Sequence, residues 1–300
     1  VVRSAAETAE SNTTLVNSLP GMNLTVDDFR IGDIALGRLE LRARNDRGAW
    51  HLETLNLRNP DGALTGKAVW NNDGAGRHQT RLDFELTASD VGRLLTRLGY
   101  VDAIRRGTAM LAGHAQWNGP LTGIHYPSLS GQLSVIAENG QFNKLEPGVG
   151  RLLGLISLQS LPRRLTLDFR DIFSDGLAFD SIEGKTTMTA GVMRIVDALR
   201  INSPAAQIEI RGEADMKNET QNLQVLVRPQ MGAVAAIGTA LINPIAGAAA
   251  LVASTVLQNP IGRLFSYRYH VTGSWSDPKV EKVGEFVDEV PLGTGEGGRR

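Results

Sequence analysis

The sequence predicts a mainly β protein, an elongated, twisted antiparallel sheet with a few short helices. Three observations carry that expectation. Apolar and polar residues alternate strictly over many short stretches, which places successive side chains on opposite sheet faces. Turn-forming clusters separate those stretches, and the composition is poor in aromatics (5%) but holds 33 glycines, as suits many strands and tight turns.

The strands read directly. In "RLELRAR", Leu39, Leu41 and Ala43 share one face; in "RLDFELT", Leu82, Phe84 and Leu86 oppose Asp83 and Glu85. "RRLTLDFRD" sets Leu165, Leu167 and Phe169 against Thr166, Asp168 and Arg170. "AQIEIRG" adds Ile208 and Ile210, and "QNLQVLVRP" adds Leu223, Val225 and Val227. Such strands are half-buried and antiparallel. "NDRG", "NPDG", "NNDGAG", "AENG" and "SDG" are the predicted hairpin turns.

Helical signals are few. "SDVGRLLTRLGY" offers Ser89 as N-cap, apolar Val91, Leu94, Leu95 and Leu98 along one face, and Gly99 as its end. "GVGRLLGLISLQSLP" is apolar on nearly every side and stops at Pro162, so it requires surroundings of protein or lipid. An internal echo, "LTGKAVWN" at Leu64 and "LAGHAQWN" at Leu111, recurs after 47 residues, with a looser "VTGSW" at Val271. It reads equally as a structural repeat or as ordinary strands sharing a bend.

Composition narrows the chemistry. The 31 basic and 32 acidic residues nearly cancel, leaving no field to attract nucleic acid. Cysteine is absent, which removes thiol catalysis, thiolate metal sites and disulfides. His51, His78, His114, His125 and His270 are scattered without ligand spacing, and "DFRDIFSDGLAFD" lacks the ligand order of a calcium loop. Neither a nucleophile elbow nor a phosphate-binding glycine loop occurs. No catalytic residue, metal or cofactor is expected, and the chain is not read as an enzyme. It opens without an initiator Met or a visible leader, and is expected to be a section of something longer.

Between Arg228 and Arg263 lie 34 uncharged residues. "INPI" divides them, because Asn243 is a good N-cap and Pro244 a good first helical residue, and Asn259-Pro260 closes the second piece. Helices over Met231 to Ile242 and Pro244 to Leu257 would measure about 18 and 21 Å, short of the roughly 30 Å of a bilayer core. Gly232, Gly238, Gly247 and Ala248 to Ala250 allow two such helices close approach. The residues leave open a hairpin packed in a protein core, one inserted shallowly in a membrane, and a single proline-kinked span, since transmembrane helices tolerate proline. In the second reading the contacts are Met231, Ile237, Leu241, Ile242, Ile245, Leu251, Val252, Val256 and Leu257. The expected organisation is therefore a β section over 1–228, an apolar hairpin over 229–263, and a terminal strand and tail over 264–300. In that last part Val280, Val283, Phe286, Val287 and Val290 fall at near-helical spacing, so a short amphipathic helix is expected to follow the strand.

"NGQFNKLEPGVGRLLGLISLQSLPRRLTLDFRDIFSDGLAFDSIEG", Asn139 to Gly184, resembles the most distinctive block of the YhdP family within the AsmA-like proteins. "LAGHAQWNGP", "LSGQLSV", "VRPQMGAVAAIGTALINPIAGAAALVASTVLQNPI" and "YRYHVTGSWSDPKVEKV" resemble the flanking and carboxyl-terminal parts of that family. The resemblance implies a long periplasmic protein of Gram-negative bacteria, anchored in the inner membrane and reaching the outer membrane. It implies a taco-shaped β-groove that conducts phospholipid, with this chain as the carboxyl-terminal section and its hairpin against the inner leaflet of the outer membrane. Leu39, Leu41, Leu82, Phe84, Leu165, Leu167, Phe169, Ile208, Ile210, Val225 and Val227 are the candidate groove lining. A closed β-sandwich serving as an interaction module of the envelope, without lipid, stays open beside it. An outer-membrane barrel is disfavoured by the helices between strands and the lack of aromatic girdles.

Overall fold

The computed structural model describes residues 19–46, 48–72, 78–143, 176–230 and 266–286. Among these, thirteen strands form a single antiparallel sheet in which spatial order equals sequence order. In chain order they are β1 (Met22–Ile31), β2 (Ile34–Asp46), β3 (Ala49–Asn59), β4 (Gly62–Asn72), β5 (His78–Ala88), β6 (Ile104–Asn118) and β7 (Ser130–Phe142). Then follow β8 (Leu177–Thr189), β9 (Val192–Asn202), β10 (Ala206–Asp215), β11 (Thr220–Pro229), β12 (Ser266–Ser274) and β13 (Pro278–Phe286). The sheet does not close into a barrel: β1 and β13 are its two edges. β12 pairs with β11 from Thr220↔Ser274 to Val227↔Tyr267, so the sheet resumes beyond the long connection that separates them.

A meander of this kind turns at two rims. Connections after β2, β4, β6, β8, β10 and β12 share one, and those after β1, β3, β5, β7, β9 and β11 share the other. All four tryptophans of the chain lie along the first: Trp50 opens β3, Trp70 and Trp117 close β4 and β6, and Trp275 follows β12. The second carries helix α1 (Val91–Arg97), and from it the two longest connections leave at Phe142 and Pro229, returning at Leu177 and Ser266.

Helix α1 is capped by Asp90, whose carboxylate accepts the Arg93 N–H at 2.9 Å. The predicted cap, Ser89, is instead held by the preceding turn, its N–H donating to the Asp61 carbonyl at 2.9 Å and its hydroxyl to that of Pro60. The helix packs tightly against strand backbone. A Cβ on Gly92 would meet the Ile104 carbonyl oxygen at 2.6 Å, and one on Gly62 would touch Leu94. Arg97 ties the far end down, donating to Asp61 at 2.6 and 2.9 Å and to the Ala35 carbonyl.

Two further expectations give way. "AENG" is not a turn but lies inside β7, where Asn139 (φ 55°) sits opposite Gly107 (φ 86°). Pairing continues on either side, at Thr108↔Glu138 and Arg106↔Gly140. Asn tolerates the left-handed region, so an Asn-Gly pair fits a strand whose ladders on both sides are already satisfied. Toward the carboxyl end, Val280, Val283 and Phe286 belong to β13, because pairing with β12 overrides their helical spacing. Val287 and Val290 lie outside the described residues.

The echo resolves into a symmetric device around β5. Leu64 and Leu111 both pair with Leu86, Gly66 and Gly113 with Phe84, Ala68 and Ala115 with Leu82, and Trp70 and Trp117 with Thr80. Glycine on both flanks of Phe84 lets the strands approach: a Cβ at Gly66 would come within 2.9 Å of the Asp83 carbonyl oxygen. The tryptophan rim is tied turn to turn. Gly191 donates its N–H to the Leu129 carbonyl at 2.8 Å, and its own carbonyl accepts from Met216 at 2.9 Å. At φ +81°, with Tyr126 O only 2.7 Å from a would-be Cβ, Gly191 has no substitute. Gly191→Ala should therefore destabilise the fold by about 2–3 kcal/mol in urea unfolding.

Candidate functional site

One face of the sheet is predominantly apolar from β1 to β12, and in β13 Val280 continues it beside Lys282, the partner of Tyr269. Its rows follow from the register, because Cα partners point the same way. One row runs Val26, Leu39, Leu57, Leu64, Leu86, Leu111 and Val135 from β1 to β7. It reaches Gly184 in β8. A bulge in β9 then brings Leu199 against Gly184, and Ile210, Val225 and Tyr269 carry the row to β12. The adjacent row holds Leu24, Leu41, Leu55, Gly66, Phe84, Gly113, Leu133, Thr186 and Ile195.

Toward the tryptophan rim lie Ala43, Leu52, Ala68, Leu82, Ala115, Gly131, Met188, Met193, Ala214 and Gln221. Toward the α1 rim, Ala88, Ala109, Ala137, Ile182, Ile201, Ile208 and Val227 complete the surface.

Thus Leu39, Leu41, Leu82, Phe84, Ile208, Ile210, Val225 and Val227 share one face of one sheet. Leu165, Leu167 and Phe169 lie outside the described residues, as does the whole of Met231 to Leu257. Sequence alternation missed Leu55, Leu57 and Leu64. In β3 a bulge between Leu52 and Leu55 shifts the period, and in β4 the glycine and alanine positions mask it. Only strand pairing reveals these residues.

Burial grades along the face. In the two central rows from β2 to β7, Leu41, Leu55, Leu57, Leu64, Phe84, Leu86, Leu111, Leu133 and Val135 are half-buried, whereas Leu39 and, toward the tryptophan rim, Ala43, Leu52 and Ala68 are buried. From β9 to β12 the side chains are enclosed, with Ile208, Ile210 and Val225 each at 1% exposure.

The opposite face is charged and largely exposed. Arg44 pairs with Glu53 at 2.7 Å, Arg194 with Glu213 at 2.9 Å and Arg228 with Glu209 at 2.8 Å. The Arg228 guanidinium, hydrogen-bonded to it, holds the Glu209 carboxyl below the usual carboxylate range. The first two of these pairs are exposed and contribute little to stability individually, while Arg228 and Glu209 are partly buried.

The tryptophan rim turns its indoles inward. Trp50 and Trp117 donate Nε1–H to the carbonyls of Pro20 and Pro120 at 3.3 and 3.0 Å, and all of Trp50, Trp70 and Trp117 are buried. Apolar residues pack beside them, Leu129, Met188 and Met193 around Trp117 and Ala43, Leu52 and Ala68 around Trp50. Among the described residues no group of three or more His, Asp or Glu is placed to hold a metal, and no helix is long and apolar enough to cross a membrane.

An open antiparallel sheet with one predominantly apolar face and one charged face defines a β-groove protein. The family model described as YhdP protein matches residues 2–280, and the chain belongs to that family. The intermembrane phospholipid transporter YhdP of Escherichia coli (strain K12) is 29% identical over 222 residues. That match covers 73% of this chain and 17% of the length of the relative. No solved structure matches the chain.

Proposed function

We propose that this chain is one section of a conduit that carries phospholipid between the two membranes of a bacterial envelope, with acyl tails lying on the apolar face. The observation that carries the reading is the continuity of that face from strand to strand across the sheet, half-buried over most of its two central rows from β2 to β7. A one-sided apolar sheet needs a covering layer, and hydrocarbon tails supply one without demanding directed polar partners. A small-molecule pocket would instead be concave and short, with a few convergent polar groups. The 29% identical relative is an intermembrane phospholipid transporter, which supports the same cargo.

Within this reading the protein works by binding and not by catalysis, and the groove lies in the periplasm. Leu39, Leu41, Leu82 and Phe84 touch tails, joined by Leu55, Leu57 and Leu64. Leu165, Leu167 and Phe169 extend the lining. The apolar residues of Met231 to Leu257 contact the inner leaflet of the outer membrane, and the strand ends that flank them, Pro229 and Ser266, both lie on the α1 rim.

A photocrosslinking residue placed at Leu57 or Leu64 in the full-length protein should label with phospholipid in cells. One placed at Arg58 or Thr65, on the charged face, should not. Equal labelling on both faces, or none on either, would overturn the groove.

A further inference from the structure

The three central rows of the apolar face admit very few polar side chains, and two of them stand out. Thr186 replaces an aliphatic residue between Leu133 and Ile195, and Gln221 sits between Ala214 and Gly273. Gln221 is 5% exposed, and its Nε2 has no hydrogen-bond partner; the buried Thr186 Oγ1 has none either. The tryptophan rim adds two more buried N–H groups without acceptors, Trp70 Nε1 and Trp275 Nε1. Trp275 lies two residues beyond Gly273, the partner of Gln221.

Buried polar groups in folded proteins are nearly always satisfied, and an exception calls for a reason. Valine at 186 or leucine at 221 would match the surrounding rows without leaving a donor unmet. Neither donor finds an acceptor among its neighbours in the sheet. What these positions share is an unpartnered hydrogen-bond donor on the apolar side of the sheet, closed off from solvent, Thr186 in the partly open stretch and Gln221 in the enclosed one.

We infer that Thr186 and Gln221 are polar stations on the groove floor that donate hydrogen bonds to acceptor oxygens of a glycerolipid. The inference rests on the groove reading and deepens it: the lipid is held by its oxygen-bearing segment as well as by its tails. Two strands lie between them, so three inter-strand spacings set them apart, roughly 14 Å across the sheet at about 4.8 Å each. One lipid therefore engages one station, and the pair forms successive stopping points along the path. The acceptors are either the glycerol ester carbonyls or the phosphate oxygens, both of which fit a neutral donor.

The test uses the full-length protein and its variants Thr186→Val, Gln221→Leu and the double variant. Thr187→Val, on the opposite face next to Thr186, is the control. Each is equilibrated with dioleoyl phosphatidylethanolamine, with dioleoylglycerol and with hexadecane, and the retained lipid is measured by mass spectrometry. Retained phospholipid is expected to fall roughly three- to tenfold for each single variant, as loss of one hydrogen bond implies, while hexadecane is unchanged. A matching fall in dioleoylglycerol assigns the bonds to ester oxygens; a fall in phospholipid alone assigns them to phosphate.

Thermal unfolding of each variant guards against misfolding, and Thr186→Ser and Gln221→Asn, which keep a donor, should restore part of the binding. Phospholipid retention equal to wild type in the double variant would overturn the stations and leave the groove intact, with water as the partner of these donors. A parallel loss of hexadecane would also overturn them, since it would show that the side chains only shape the floor. A wild-type protein that retains no phospholipid would remove the groove and the stations together.

Discussion

Ile208→Asp should abolish folding of the sheet, whereas Phe84→Arg should leave it folded and strip it of lipid. Ile208 is 1% exposed and stands between Ile201 and Val227 on the apolar face. A carboxylate there has no partner and no route to water, and such a burial costs at least about 4 kcal/mol, a large fraction of a domain's stability. Phe84 occupies the same face in its half-buried stretch, flanked by Gly66 and Gly113, so an arginine can lay its aliphatic stem on the floor and carry its guanidinium to solvent. Circular dichroism in urea should separate the two variants, and phospholipid retained after purification should fall severalfold for Phe84→Arg. If both unfold, the face is closed core along its whole length. If Phe84→Arg keeps its full lipid complement, tails do not run over β5.

Asp61→Ala should be the most damaging change at the α1 rim, lowering stability by roughly 3 kcal/mol, because it leaves the guanidinium of Arg97 without its partner. The Asp61 side chain is 5% exposed and accepts both Arg97 bonds, while Arg93 approaches its other oxygen at 3.3 Å. The Asp61 carbonyl meanwhile receives the N–H groups of Ser89 and Asp90, so this one residue joins the β3–β4 turn to the start and end of α1. The double variant Asp61→Ala with Arg97→Met should cost clearly less than the sum of the two single changes, as an apolar replacement of both partners leaves no orphaned charge. Additive losses in urea melts would show that the helix is held by Leu94 and Gly92 instead of the ion pair.

Much of the strand content was legible because alternation is a property of a few consecutive residues. "RLELRAR", "RLDFELT", "AQIEIRG" and "QNLQVLVRP" fall within β2, β5, β10 and β11, and their apolar residues share one face. The echo was visible too, but its meaning was not: that "LTGKAVWN" and "LAGHAQWN" embrace the same strand follows from pairing, which no local pattern encodes. Leu55 and Leu57 escaped notice because a bulge after Leu52 breaks the period, and "AENG" misled because turn propensity is local while the ladders that straighten Asn139 come from β6 and β8. Thr186 and Gln221 carried no sequence signal at all, since a polar residue in a strand reads as solvent-facing until the register places it among Leu133, Ile195 and Ala214.

From the order of its residues alone, this protein was bound to form amphipathic strands separated by turns, because a backbone of period two sorts side chains by face wherever apolar and polar residues alternate. Tertiary structure alone decided that thirteen of those strands lie in chain order with two free edges, that the face is half-open in one stretch and enclosed in the next, and that all four tryptophans gather on one rim. Those outcomes depend on bulges and glycine contacts acting between strands, and each strand's own residues are silent about them.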